Sequence, residues 1–316
     1  MGELRTADGQ DVSLHRLGPL ERERPALILV HGFIQNRRAF DVPGRSVPLF
    51  LAERGYTVYT LDLRGRAGTT PAKWSLRHYA EEDAATAVLF IGELHRQLAW
   101  VGHSMGGLVG LSLEPAVASR LSAIVCLGSP LRPGPKRLQR LGLHRLLLLT
   151  ARTLHQRGAV FRGTRYSGAL SLIRRALDDE RMPFPLRLWA PGSLEDAALA
   201  WTLREGFADD GWGVFGDLLE LIVSDGEWAG GVPIGERLRA LKTPLLVIAG
   251  DADHLAPPDG VRPIFERAGS THKRYVEVGR KSAGRSFGHI DLIVGTHAPA
   301  FVWSEISLFV DEQMRR

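Results

Sequence analysis

A single cysteine, Cys126, in a chain of 316 residues excludes an intramolecular disulfide and points to a reducing compartment. No apolar run approaches the ~18 residues of a membrane-spanning helix. The opening MGELRTADGQ has no apolar core of the signal-peptide type, so a cytoplasmic location is expected. Zinc-finger spacings, nucleic-acid-binding motifs, internal repeats and low-complexity tracts are all missing, which speaks against a nucleic-acid partner. Charge of one sign is not in large excess either: the formal net charge is +5, with 24% charged and 44% hydrophobic residues. Those proportions are ordinary for a globular chain long enough to hold one large domain with an insertion.

The modest net charge is unevenly spread. Residues 131–187 hold thirteen Lys and Arg against three acids, Asp178, Asp179 and Glu180. Such a segment suits a solvated surface, an anionic lipid or an acidic carrier protein. On either side of it, strand and helix patterns alternate. Asp11–Leu17 alternates polar and apolar residues, as an edge strand does, and Pro25–Val30 is a continuous apolar run. A helix is predicted over 47–54 with Leu49, Phe50 and Leu51 inward, then a strand over 56–63 and a long helix over 75–97 with Ser75 as its N-cap. Further strands are predicted over 121–127, 244–249 and 273–278, and helices over 259–267 and 301–314. This alternation implies a mostly parallel central sheet with helices on both faces.

The pattern stops near residue 131 and resumes near 243. Residues 1–130 and 243–316 therefore read as one catalytic body, and 131–242 as an inserted helical cap or lid. Leu138, Leu141, Leu146 and Leu149 sit at helical intervals in it, and Trp189, Trp201, Phe207, Trp212, Phe215 and Trp228 make its second half aromatic. Those residues are best buried against the carboxyl edge of the sheet, where open α/β sheets bind ligands.

The most informative stretch is Leu98–Val109. Gly102-His103-Ser104-Met105-Gly106 fits G-x-S-x-G between an apolar strand and a helix marked by Leu108, Val109 and Leu111. A sharp strand-to-helix turn lifts the Ser104 hydroxyl above the sheet edge and aims the first helical N–H groups at an oxyanion. Serine needs a base, and the base an orienting carboxylate, in the chain order Ser, Asp, His. Asp253 follows the 244–249 strand, with Asp251 as the alternative. His289 is the one histidine that combines a glycine-rich loop, a position after the last strand and a following helix; His254, His272 and His297 lack at least one of these. The oxyanion donors expected are the backbone N–H groups of Met105 and Phe33. Cys126 lies within a strand and reads as core.

Val30-His-Gly-Phe33, Asp62-Leu-Arg-Gly65, Gly102-His-Ser-Met-Gly-Gly107, Gly250-Asp-Ala-Asp253 and Gly288-His-Ile-Asp291 together resemble the α/β-hydrolases. His31–Asn36, Leu51–Tyr56 and Gly288–Gly295 are similar to the acid-lipase and polyhydroxyalkanoate-synthase-like branch. Those synthases use cysteine, so Ser104 favours hydrolysis. One departure stands out: Arg64-Gly-Arg-Ala-Gly68 lacks the histidine-glycine pair that many family members carry there. The resemblance implies a serine hydrolase of hydrophobic carboxylic esters, acting through an acyl-enzyme without metal or organic cofactor. The alternatives are a thioesterase or acyltransferase on coenzyme A or carrier-protein thioesters, and a capped ligand-binding protein without turnover.

Overall fold

The computed structural model describes residues 2–66, 73–132, 143–182, 184 and 186–314. Eight strands form one sheet: β1 Gly2–Arg5, β2 Asp11–Leu17, β3 Ala26–Val30, β4 Thr57–Asp62, β5 Leu98–His103, β6 Ala123–Leu127, β7 Leu245–Gly250 and β8 Lys273–Val278. Their order is β1-β2-β4-β3-β5-β6-β7-β8, with β1 and β2 antiparallel to their neighbours and the rest parallel. The apolar runs are parallel strands covered on both faces, as their lack of alternation implies. Side chains then sort by pleat: Ile28, Val30 and Trp100 pack on one side, and Leu27, Leu29 and Val101 on the other.

Several predicted details change. Asp11–Leu17 is not the edge, because Gly2–Arg5 pairs outside it, Leu4 opposite Val12. The helix Val47–Glu53 buries Val47, Pro48 and Leu51, whereas Leu49 is exposed. Residues three and four apart share a helix face, so Leu49 falls opposite Leu51. The long helix begins behind Ser75 and widens to π turns over Tyr79–Ala84. It stops at Leu94, where His95 turns to bond the Arg24 carbonyl and the Tyr59 hydroxyl. Pro115 opens a separate short helix after Met105–Leu111. Cys126 is buried, and burial pushes its thiol up to about 12.

Between β6 and β7 lie the helices Leu143–Gln156, Gly163–Leu177, Asp196–Glu205, Trp212–Val223 and Ile234–Ala240, with a two-stranded ribbon of Val160–Phe161 against Asp210–Gly211. Leu138 and Leu141 lie outside the described residues; Leu146 and Leu149 are helical but face outward, and Leu148 and Ala151 are buried instead. Trp189 and Phe207 are buried, while Trp228 is half exposed. Ile234, Leu238 and Leu241 join the core of the body. No described helix is long and apolar enough to cross a membrane.

Asp217 ties this segment to the body by accepting from the Leu76 N–H at 2.7 Å. Burial, reinforced by Glu220, raises its carboxyl to about 7. An acid protonated in the fold but ionised in the unfolded chain loses stability as pH rises from its ordinary value, near 4, to its folded value, near 7. Asp217→Asn keeps an acceptor for Leu76 without that liability. Melting temperatures of both proteins between pH 5 and 8 should diverge in favour of the variant up to pH 7 and run parallel above it; a constant difference across that range would contradict the assignment.

Candidate active site

The parallel register aligns the carboxyl ends of the central strands. Val30 pairs with Gly102, His103 with Leu127, and Gly250 with Val278, so the loops after β3, β5, β6, β7 and β8 meet at one edge. At their centre Ser104 holds φ 55° and ψ −119°, between β5 and the helix Met105–Leu111. Its N–H donates to the Leu127 carbonyl at 2.7 Å. The following turn runs so close to β3 that a Cβ on Gly106 would stand 2.2 Å from the Val30 carbonyl oxygen. Contacts under 3.0 Å are not tolerated there, and only glycine fits.

Asp253 and His289 are buried together, His289 Nδ1 lying 2.7 Å from Asp253 Oδ2. The other carboxylate oxygen, Oδ1, accepts from the N–H groups of Leu255 at 2.8 Å and Ala256 at 2.7 Å, which fixes the carboxylate plane. Asp251 does a different job. It accepts from the N–H groups of Arg280 and Phe287, both at 2.9 Å, and so folds the loop that leads to His289. Ser104 and His289 line one cavity of about 450 Å³, walled by apolar side chains including Leu108, Leu188, Leu218, Leu255 and Ile290. No hydrogen bond joins Ser104 to His289, and among the described residues neither the Phe33 nor the Met105 N–H donates to another group. The Phe33 ring packs on Phe161, centroids 5.1 Å apart, and on Phe215 at 5.8 Å.

Four further residues shape this edge without having been singled out in the sequence. Gln35 Oε1 accepts from the Gly32 N–H at 2.9 Å and lies 3.0 Å from His103 Nδ1. His103 Nε2 is 3.1 Å from the His289 carbonyl, so one buried ring spans the loops after β3 and β8. Burial holds this imidazole well below its usual range, and the neutral ring has one N–H to share between the two acceptors. Asp291 accepts from the Gly288 N–H at 2.6 Å, the Ala190 N–H at 2.8 Å and the Ser193 hydroxyl at 2.7 Å. Burial raises its carboxyl to about 7. Sequence signals existed for His103, the second residue of G-x-S-x-G, and for Asp291, which follows His289 in Gly288-His-Ile-Asp.

Gly128 is the fourth. It has φ 54°, and a Cβ there would lie 3.2 Å from Asp253 Oδ2 and 3.4 Å from His289 Nδ1. In Gly128→Ala the left-handed conformation costs about 1–2 kcal/mol, and the methyl presses on the Asp253–His289 pair. The variant should melt a few degrees lower, and a fluorophosphonate should label its Ser104 at least about 10-fold more slowly. A lower melting point with unchanged labelling would limit Gly128 to a backbone role.

The sequence matches the family model of the alpha/beta hydrolase fold over residues 25–281. No curated protein sequence matches it. Among solved structures, it is similar to the monoacylglycerol lipase of Paleococcus ferrophilus, with 16% identity, TM-score 0.64, and coverage of 95% of this chain and 98% of that one. The enol-lactonase of Burkholderia xenovorans LB400 superposes with TM-score 0.63 and 17% identity over 98% of this chain and 100% of that one. A thioesterase domain from the curacin biosynthetic pathway does so with TM-score 0.59 and 19% identity over 97% and 98%. Sheet order, strand register and the family match agree: this chain belongs to the alpha/beta hydrolase fold family.

Proposed function

We propose that this protein is a serine hydrolase of carboxylic esters with a hydrophobic acyl group. The observation that carries the reading is the convergence of the left-handed Ser104 and the Asp253-bound His289 on one apolar cavity. In this reading Ser104 Oγ attacks the acyl carbon while His289 Nε2 takes its proton, and Asp253 keeps the imidazole Nδ1–H oriented. The N–H groups of Phe33 and Met105 stabilise the oxyanion, each contributing roughly 10²–10³ in rate. His289 returns the proton to the leaving alcohol, and water releases the acyl group by the same route in reverse. The segment 131–242 acts as a cap, since Leu188, Phe161, Phe215 and Leu218 from it enclose the cavity. An apolar enclosure of about 450 Å³ suits an acyl chain.

Carrier-bound thioesters are the second reading, favoured by the basic segment. Arg145 and Arg165 are exposed and stand within two residues in sequence of the cavity-lining Leu147 and Tyr166, on a segment an acidic carrier could approach. Turnover on carrier substrates that falls steeply with salt would support it over free esters.

A series of p-nitrophenyl esters from acetyl to palmitoyl should show a chain-length optimum. Ser104→Ala should lose activity by at least about 10³-fold. Asp253→Asn should lose up to about 10⁴-fold in kcat, as removal of the orienting carboxylate does elsewhere, whereas Asp251→Asn should lose far less. Equal losses for the two aspartate variants would overturn the assignment of Asp253.

A further inference from the structure

The loop after β3, which carries the Phe33 N–H, is held largely by the inserted segment. Ile34 sits at φ 51°, a left-handed conformation that a β-branched residue adopts only under constraint. Its N–H donates to Asp210 Oδ2 at 3.2 Å, and its carbonyl accepts from the Ala208 N–H at 2.8 Å. The next carbonyl, that of Gln35, accepts from Arg66 Nε at 2.7 Å. Arg66 also pairs with the Asp210 carboxylate, both side chains being fully buried. Tyr79 closes the network with its hydroxyl 2.6 Å from Asp210 Oδ1. One carboxylate from the insertion and one guanidinium from the body thus grip the main chain immediately after Phe33.

We propose that Arg66 and Asp210 are positioning residues for the oxyanion hole, so that the Phe33 N–H points at the reacting oxygen only when the insertion is seated on the loop after β3. This rests on the reading of Phe33 as an oxyanion donor. It also gives a role to Arg66, which lies in the stretch that lacks the histidine-glycine pair of many family members. Arg66 does not line the cavity of Ser104; its guanidinium is turned to Asp210 of the insertion. A guanidinium is needed because its planar fork reaches the Gln35 carbonyl and the carboxylate at once, which a lysine ammonium cannot do.

Arg66→Lys, Asp210→Asn and Tyr79→Phe test this, with Arg162→Ala as a control on the surface of the same segment. Two readouts are needed on folded protein: kcat and KM with a p-nitrophenyl ester, and the second-order rate of Ser104 phosphonylation by a fluorophosphonate. Misplacing one donor should lower kcat about 10–100-fold in Arg66→Lys and Asp210→Asn, with KM within about 3-fold, and phosphonylation should slow in parallel. Arg162→Ala should match the wild type. Folded variants with lower melting points but wild-type kcat and phosphonylation would overturn the proposal. If Asp210→Asn does not fold because Arg66 is left unpaired, Tyr79→Phe keeps the ion pair and should still lower kcat about 3–10-fold; wild-type rates in both Tyr79→Phe and Arg66→Lys would overturn it equally. Should the wild type turn over no ester while Ser104 is still phosphonylated, the ester reading fails and the phosphonylation rates alone decide this one.

Discussion

Everything at the carboxyl edge of the sheet depends on how closely the turn after Ser104 approaches β3. Gly106 lies against the Val30 and His31 carbonyls, and Gly102 against the Gly106 backbone. That contact fixes the distance between the serine and the loop after β3, which no side-chain hydrogen bond could set as rigidly. It is bought with backbone strain, since Ser104 at φ 55° carries a cost of about 1–3 kcal/mol. The hydrogen bond from its N–H to Leu127 and fully buried strands on both sides hold it there. Strain at Ser104 is stable because the surrounding sheet over-determines it.

What could be read from the sequence was local. The apolar runs of β3, β5, β6 and β7 announce themselves because each is buried on both faces. The residues of G-x-S-x-G specify their turn through steric demands within a few positions of one another. Chain order put Asp253 or Asp251 with His289; the fold brings Asp253 to the His289 ring, while Asp251 accepts from the N–H groups of Arg280 and Phe287. The long-range partners were not legible. Asp210 and Ile34 are far apart in the chain, and nothing around Asp210 in the sequence distinguishes it from the half-buried Asp209 beside it. Leu49 and Leu51 illustrate a smaller failure, since a seven-residue helix has too few turns for its apolar face to be read by period.

Buried charge tells a similar story on a larger scale. Arg64 is enclosed between Asp83 and Asp8, and Arg66 is enclosed with Asp210. Buried ion pairs are poor stabilisers, because desolvation offsets most of their attraction, and apolar substitutes of similar volume are often no worse. Stability alone therefore gives little reason to bury guanidinium groups here. Geometry does: each guanidinium bonds several groups at fixed angles, so a small displacement of the loop leaves a buried charge unmatched. Such pairs select one arrangement of the loops after β3 and β4 rather than deepen the fold overall.

The inserted segment resolves an apparent contradiction between a basic sequence and an apolar cavity. Along residues 186–189 successive side chains face opposite ways: Leu186 and Leu188 line the cavity of Ser104, while Arg187 and Trp189 line an outer cleft of about 630 Å³. The body repeats this division, with Leu255 and Ile290 facing inward and His254 and Asp291 outward. A thin wall with one apolar face and one mixed face thus runs past His289. Among the described residues, most arginines of the segment are exposed and none of them lines the cavity shared by Ser104 and His289, where a nearby cation would disturb the Asp253–His289 pair. The charge of these exposed arginines is left on the outer surface, apart from the apolar lining around Ser104.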